Sequence, residues 1–141
     1  MQLQVATLCD SAADYQGKLC VLGAFDTVYA QEFPVVHPHC SLALRILFEP
    51  SDRARHEMAV KLVGEDGVEL IPRYTPTLDV PFPSGSAPFV ARHLVLNLQG
   101  LRFEKPGVYR FVVVLDSNIL ASLPLHVTRF EEIRGGTGPA G

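Results

Sequence analysis

Three potential metal ligands lie within four residues of this chain, at His37, His39 and Cys40. Imidazole and thiolate are ligands that a soft divalent ion such as zinc prefers. A tetrahedral site normally takes a second ligand pair from elsewhere, and Cys9 and Cys20 would supply it if the first two strands fold beside this loop. One hypothesis is therefore a metal or small-ligand site. The alternative is a surface loop that enters a strand, with Cys40 as a small buried apolar side chain.

Other catalytic patterns are missing from the sequence. It contains no Gly-x-Ser-x-Gly nucleophile turn, no phosphate-binding Gly-x-x-x-x-Gly-Lys and no His-Glu-x-x-His. Asp10, Asp14 and Asp26 lie near Lys18, but their spacing lacks the logic of a calcium loop, so we interpret them as turn and edge residues. We expect that the chain is not an enzyme and that it carries no cofactor.

A proline-rich stretch from Pro72 to Ala91 presents three aromatic residues, Tyr74, Phe82 and Phe89. Proline removes backbone donors, so no regular central strand is expected there. Aromatic side chains on a stiff segment are good anchors for a protein partner, and these three are our candidate partner-binding residues. Alternatively, the stretch packs across its own sheets and covers an open edge.

Alternating apolar residues predict the elements that position these groups. The predicted strands span residues 3–8, 18–30, 41–48, 57–64, 68–71, 93–98, 108–115 and 119–128. Residues 10–17 read as a polar connection and residues 33–39 as a proline-punctuated crossing. We expect a bend at Gly23 and an edge or bulge at Pro124. Cys9 and Cys20 flank the first connection, and we considered that they lie near each other across two strands, as reduced thiols.

The segment from Leu94 to Phe111 is similar to the passage between strands E and F of an immunoglobulin-like sandwich. In that passage a corner tyrosine bonds back to upstream backbone, which implies a hydrogen bond from Tyr109 to the region of Leu101 to Glu104. Phe111 occupies the position of the second disulfide cysteine, and we expect it in the core. The predicted fold class is all-β, an antiparallel two-sheet β-sandwich, immunoglobulin-like. Residues 1–130 form the single domain and residues 131–141 a flexible glycine-rich tail.

Charge and hydropathy limit the kinds of partner that we expect this chain to bind. The formal charge is −3 and no basic stripe is present, which disfavours nucleic acid. No apolar run approaches the length of a membrane span, and the N-terminus lacks the pattern of a signal peptide. We therefore expect no membrane partner and a cytoplasmic location, which also suits an odd number of cysteines.

Four segments, residues 5–10, 17–27, 33–45 and 123–127, resemble a small bacterial family of uncharacterised proteins, classified as a domain of unknown function. The resemblance implies a bacterial origin and transfers no activity and no catalytic residue. Our sequence-based hypothesis is a non-catalytic protein-interaction or assembly module that binds a protein partner or forms a homo-oligomer. The alternative is a small-ligand or metal-binding protein that uses His37, His39 and Cys40.

Overall fold

Nine strands make up the fold of this chain, whose computed structural model describes residues 1–82 and 87–130. They are β1 (Gln2–Tyr15), β2 (Lys18–Phe25), β3 (Thr27–Ala30), β4 (Val35–Phe48), β5 (Arg55–Val63), β6 (Thr77–Asp79), β7 (Val90–Phe103), β8 (Gly107–Leu115) and β9 (Asn118–Arg129). One sheet has four strands in the order β2-β1-β4-β7, and the other has five in the order β3-β9-β8-β5-β6. The tail predicted at residues 131–141 lies outside the described residues.

The inward faces of both sheets build one hydrophobic core. Alternate residues of β4 are buried there, as the sequence pattern predicted, and Phe111 of β8 is fully buried. The largest completely buried side chains are Phe48, Phe103, Phe111, Leu42, Leu44, Ile46, Leu62, Leu115 and Leu125. The prediction of an all-β chain with two sheets is thus confirmed.

One pair of strands is parallel, so the prediction of an antiparallel fold throughout is wrong. Strand β3 runs alongside β9 in the same direction, with Thr27 opposite His126 and Ala30 opposite Arg129. The predicted single strand over residues 18–30 is broken at Asp26, where the chain bends and passes from the first sheet to the second. A run of extended residues carries no sign of which sheet it joins, and this explains the error.

Two predicted connections are strands. Residues 10–15 continue β1, because the chain reverses in a two-residue turn at Gln16 and Gly17, whose φ values of 53° and 77° fit a type I′ hairpin. Residues 35–39 belong to β4, which pairs with β7 from Val35 onward. In both places the exposed polar residues and prolines hid the alternation on which the prediction depended.

At Gly100 the residues of β7 that face the core change from the even-numbered to the odd-numbered ones. Cys40 and Leu98 are opposite each other and buried, but beyond Gly100 the buried residues are Leu101 and Phe103. Gly100 has a φ of 64°, and the pair that it would form with Pro38 is the one missing from an otherwise continuous ladder. A left-handed glycine thus lets the strand pair rotate without inserting a residue.

The proline-rich segment covers the outer edge of β5. Backbone bonds join residues 70–80 to β5 and to Ala54 just before it: Leu70 N–H to Leu62 O (2.9 Å), Tyr74 N–H to Val60 O (3.0 Å), Met58 N–H to Pro76 O (3.0 Å) and Val80 N–H to Ala54 O (2.6 Å). Among them is the short strand β6, which pairs at the sheet edge with residues 55–57. These bonds agree with the second of our two alternatives, in which the stretch covers an open edge. The cover protects β5 from pairing with other strands.

Candidate functional site

The hairpin of β1 and β2 is kinked at Gly23, where the sequence predicted a bend. Gly23 has a φ of 71°, and the pair between Asp10 and Gly23 is missing from the ladder, although Cys9 still pairs with Ala24 and Ser11 with Leu22. A Cβ on Gly23 would lie 2.5 Å from Asp10 Oδ2. The position therefore requires glycine, both for its backbone conformation and for the approach of the carboxylate. We call residues 10–25 the folded hairpin.

A side-chain network holds the folded hairpin against the outer face of the first sheet. His93 Nδ1 lies 2.7 Å from Asp14 Oδ2, and Arg45 donates to His93 Nε2. Arg45 Nε also donates to Gln4 Oε1 at 2.8 Å. A neutral His93 with its proton on Nδ1 satisfies both neighbours. The hydrogen bond from His93 lowers the pKa of Asp14 below its usual value.

Beneath the hairpin lies a second, smaller interior. Cys9, Ser41 and Ala43 lie on the same outward face of the β1–β4 pair as Arg45. They are nevertheless buried. Ser41 Oγ donates to Asn97 Oδ1 at 2.7 Å, and the Cys9 thiol lies 3.6 Å from the Ser41 carbonyl oxygen. The burial of these small groups on an outer face follows from the hairpin that covers them.

Among residues 1–82 and 87–130, strand β2 pairs only with β1 and so has a free edge. Its stretch from Leu19 to Phe25 contains no charged residue, and Val21 and Leu22 are 39% and 70% exposed. The other edge strands have features that discourage pairing with another chain: β6 and β3 are short, and β7 carries Arg92 and Arg102. Proteins normally protect long apolar edges, whereas this one has no charged residue from Leu19 to Phe25.

The predicted metal ligands point to different surroundings. The His37 ring packs 5.5 Å from the ring of Phe25 with a buried Nε2 that has no hydrogen-bond partner, His39 is exposed, and Cys40 is buried in the core. Burial, together with nearby Cys9 and Asp10, raises the pKa of Cys40 to about 11. Within residues 1–82 and 87–130, no three His, Cys, Asp or Glu side chains are grouped to hold a metal ion.

The two thiols expected near each other are separated along the hairpin. Cys9 is opposite Ala24 and Cys20 is opposite Ala13, four ladder positions away, and Cys9 is buried whereas Cys20 is exposed. All three cysteines of the chain are free. The idea that Cys9 and Cys20 face each other was therefore wrong, because the predicted connection between them is itself part of the ladder.

The three candidate anchor aromatics do not share one environment. Tyr74 and Phe89 are exposed, and Phe82 packs against the hydrophobic core. Tyr74 is also the residue whose backbone is bonded to Val60 on β5. Two of the three side chains thus remain available to a partner, and the third helps to attach the segment to its own domain.

A partly buried His–Asp pair joins the start of β5 to the turn between β8 and β9. His56 Nδ1 lies 2.6 Å from Asp116 Oδ2, and its Nε2 lies 2.8 Å from the carbonyl oxygen of Arg53. Both neighbours are acceptors, so the two hydrogen bonds form together only on the imidazolium. A catalytic His–Asp pair offers its second nitrogen to a nucleophile or substrate. Here, as in His93, a structural partner occupies that nitrogen.

A cleft of about 340 Å³ lies at the corner between β7 and β8, and no pattern in the sequence indicated it. Its walls include Val68, Leu70, Pro106 and the ring of Tyr109, and charged residues from both loops surround them. The Tyr109 hydroxyl donates to the Lys105 carbonyl oxygen at 2.6 Å, one residue beyond the predicted acceptors. Two turns far apart in sequence form this cleft, so no local motif could have revealed it.

Together these features define a class of protein: a two-layered all-β domain with one hairpin folded over its outer face and an unprotected edge strand. Within the described ranges, no helix is long and apolar enough to cross a membrane. The chain belongs to the family described as Family of unknown function (DUF6941), whose model matches residues 4–128. The resemblance to a family of unknown function is thereby confirmed. No curated protein matches the chain.

Proposed function

We propose that this chain is a non-catalytic protein-interaction and assembly module and that its contact surface is the free edge of β2. The observation that carries the proposal is the uncharged stretch from Leu19 to Phe25, which is exposed from Cys20 to Ala24. An unpaired edge offers a row of backbone donors and acceptors to another strand, and the side chains on it supply apolar area. Binding by edge pairing needs no pocket and no catalytic group.

The folded hairpin presents this edge as a rigid element. An isolated two-stranded hairpin is marginally stable in water, so a binding hairpin needs support from its own domain. The Asp14–His93 contact and the kink at Gly23 supply that support by fixing the hairpin on the first sheet. A pre-organised edge loses less conformational entropy on association than a flexible one.

The test is a comparison of two lysine substitutions at equally exposed apolar positions. Leu22 on β2 and Ile119 on β9 are 70% and 71% exposed. We expect Leu22→Lys to abolish association, because it places a charge in the proposed contact, and Ile119→Lys to leave association unchanged. Light scattering after size exclusion over a range of concentrations gives the mass of each protein. Pull-down with each variant as bait gives its partners.

The proposal fails if Leu22→Lys and the wild type have the same mass and the same partners at every concentration. It also fails if the wild type is monomeric at high concentration and binds no protein. Circular dichroism and thermal unfolding of both variants establish that each is folded, so that loss of binding is not loss of structure.

The corner cleft favours a second candidate function, the binding of a small ligand. Its volume lies in the usual range of ligand sites, and it combines apolar walls with polar groups at the rim. This replaces the location that we predicted at His37, His39 and Cys40, where the ligand groups do not converge. Native mass spectrometry of untagged protein would support it by finding a stoichiometric small molecule that Val68→Asp removes.

Two finer expectations belong with the proposal. A reducing compartment such as the cytoplasm suits three free cysteines, and we keep the cytoplasm as the proposed location. The hydrogen bond between Tyr109 and Lys105 supports an immunoglobulin-like relationship for the two sheets, because a corner tyrosine of this kind is typical of that fold.

A further inference from the structure

We infer that the occupant of the β2 edge is a second copy of this chain, paired antiparallel about a twofold axis at Leu22. The inference rests on the proposed function, since it names the partner of the same edge. A twofold contact uses the same patch on both subunits, so the patch must be complementary to itself. The sequence of β2 and the residue after it meets this condition at every position.

The charges at the two ends of the edge carry the argument. Pairing about Leu22 places Lys18 of one copy opposite Asp26 of the other, and the twofold axis produces this ion pair twice. Both residues are exposed, and no ion pair of the described chain uses either of them. Opposite charges that face each other across an antiparallel pair stabilise it, and like charges destabilise it.

Side-chain size follows the same symmetry between these charges. Leu19 meets Phe25, Cys20 meets Ala24, and Leu22 meets its own copy, so that large residues face large ones and small residues face small ones. Val21 meets Gly23, whose lack of a side chain leaves room for the branched valine. Moving the axis by one residue to Val21 or Gly23 removes both ion pairs, because Lys18 then faces Ala24 or position 28.

In the straight part of β2 before Gly23, the backbone groups have the orientation that this pairing requires. In a two-residue hairpin the flanking residues bond to each other, here Tyr15 and Lys18, so alternate residues bond within the hairpin. Leu19 and Val21 then direct their backbone groups to the free edge. Leu22 directs its own toward β1, which makes it a non-hydrogen-bonded position and brings the two Leu22 Cα atoms to about 4.5 Å at the axis.

Disulfide trapping tests the register directly. In a Cys20→Ala background, Leu22→Cys places two thiols face to face at a separation that a disulfide spans. Val21→Cys is the matched control, because the two copies of residue 21 are diagonal neighbours at about 7–8 Å. Cys9 and Cys40 are buried and do not compete. Mild oxidation should convert most of the Leu22→Cys protein to covalent dimer and little of the Val21→Cys protein.

Exchanging the two charges tests the dimer independently, because the double variant should recover the association that each single variant weakens. Lys18→Glu and Asp26→Lys should each weaken dimerisation by roughly twofold to tenfold, the usual range for exposed ion pairs that the twofold axis makes twice. The double variant restores opposite charges and should recover wild-type association. Analytical ultracentrifugation at low salt measures the three dissociation constants.

Equal trapping of both cysteine variants, or a double variant no better than its parents, overturns the inference. A chain that is monomeric at all concentrations also overturns it. If that monomer binds a different protein and Leu22→Lys prevents the binding, the proposed function survives without the second copy. If Leu22→Lys changes nothing in any assay, both fail together.

Discussion

At the scale of single residues, the hydroxyl of Tyr109 fixes the corner between β7 and β8. It donates to the Lys105 carbonyl oxygen, and its ring packs edge to face on Phe103 at 4.8 Å. The hydrogen bond satisfies a carbonyl group at the turn, and the ring contact links the turn to the core. The tyrosine therefore stabilises the corner through a polar and an apolar contact at once.

We predict that Tyr109→Phe lowers the free energy of unfolding by about 1 kcal/mol, the usual net value of one such hydrogen bond. Urea denaturation measures the change. Tyr29→Phe is the control, since Tyr29 is half exposed and its hydroxyl has no hydrogen bond in the described part of the chain. Equal effects of the two substitutions would contradict a special role for the Tyr109 hydroxyl.

The carboxylate of Asp116 makes stability depend on pH. Burial alone would raise its pKa, but hydrogen bonds from the His56 ring and from the Glu57 N–H outweigh burial and lower the pKa below the usual value. A group with a depressed pKa in the folded state contributes stability above its unfolded pKa, and the contribution is lost as the pH falls through the folded pKa.

We therefore expect the free energy of unfolding to fall as the pH decreases below about 5 and to fall less steeply in Asp116→Asn. Asparagine keeps the size of the side chain but cannot titrate. Urea denaturation at a series of pH values between neutral and strongly acidic gives the two slopes. An unchanged slope in the variant would show that other carboxylates account for the acid sensitivity.

The roles of some of these residues could be predicted from the sequence, and those of others could not. Tyr109 and Phe111 were found because they lie two residues apart in an alternating strand after a Pro-Gly corner, which is local information. The partners of His56 and His93 were not found, because Asp116 and Asp14 lie far away along the chain and meet them only in the fold. A lone histidine in a strand pattern gives no indication of the carboxylate opposite.

At the scale of elements, the same device bends two strand pairs of the first sheet, β1–β2 and β4–β7. Gly23 and Gly100 have φ values of 71° and 64°, and each lies at a position where one pair is missing from the ladder without a change of register. The first kink folds the hairpin over the outer face, and the second changes which side chains of β7 reach the core. Both depend on a backbone conformation that other residues adopt at a cost.

We predict that Gly23→Ala destabilises the protein more than Gly17→Ala. Both glycines have a positive φ, so both substitutions incur roughly 1–2 kcal/mol of backbone strain. Only at Gly23 does the added methyl group meet another residue, Asp10, whereas nothing lies within 4 Å of that position on Gly17. Chemical denaturation gives the two values, and hydrogen exchange should be faster in β2 of Gly23→Ala than in wild type.

If both variants lose the same stability and exchange equally, the contact with Asp10 does not contribute to the difference in stability.

The sequence predicted the bend at Gly23 because an isolated glycine in a strand is a local signal. It did not predict that the hairpin folds back on the sheet, because that position depends on Asp14 meeting His93 across the fold. The parallel partner of β3 was missed for the same reason.

At the scale of the whole molecule, folding sorts the three thiols by exposure. Cys9 and Cys40 are buried under the hairpin and in the core, and burial raises the pKa of both above the usual value. Cys20 is exposed on β2. Since the thiolate is the reactive species, only the exposed thiol should react while the molecule is intact.

We predict that a thiol reagent titrates one cysteine in the native protein and three after unfolding in denaturant without reductant. Low protein concentration keeps the β2 edge free during the measurement. Finding a single thiol after unfolding would indicate a disulfide and would argue against a reducing compartment. A Cys20→Ala variant should lose the native signal and keep two thiols on unfolding.

Composition and periodicity were sufficient to predict the class of fold but not the candidate site. The core strands were predictable because burial imposes a period of two on each of them. The β2 edge was not singled out, because its exposure depends on which strand lacks a neighbour, and that is a property of the assembled sheet. For the proline-rich segment the sequence left a binding surface and an edge cover open, because its backbone bonds to β5 depend on residues that are distant along the chain.

The parallel pairing of β3 with β9 has a consequence for biosynthesis. In the described part of the chain, the strand neighbour of β3 is β9 alone, which follows the other eight strands. A ribosome releases the strands of the four-stranded sheet by residue 103, but the sheet that must cover its apolar face lacks β9 until later. The apolar face of the first sheet therefore lacks part of its cover while translation continues, and a chaperone that binds apolar strands would have this interval in which to act.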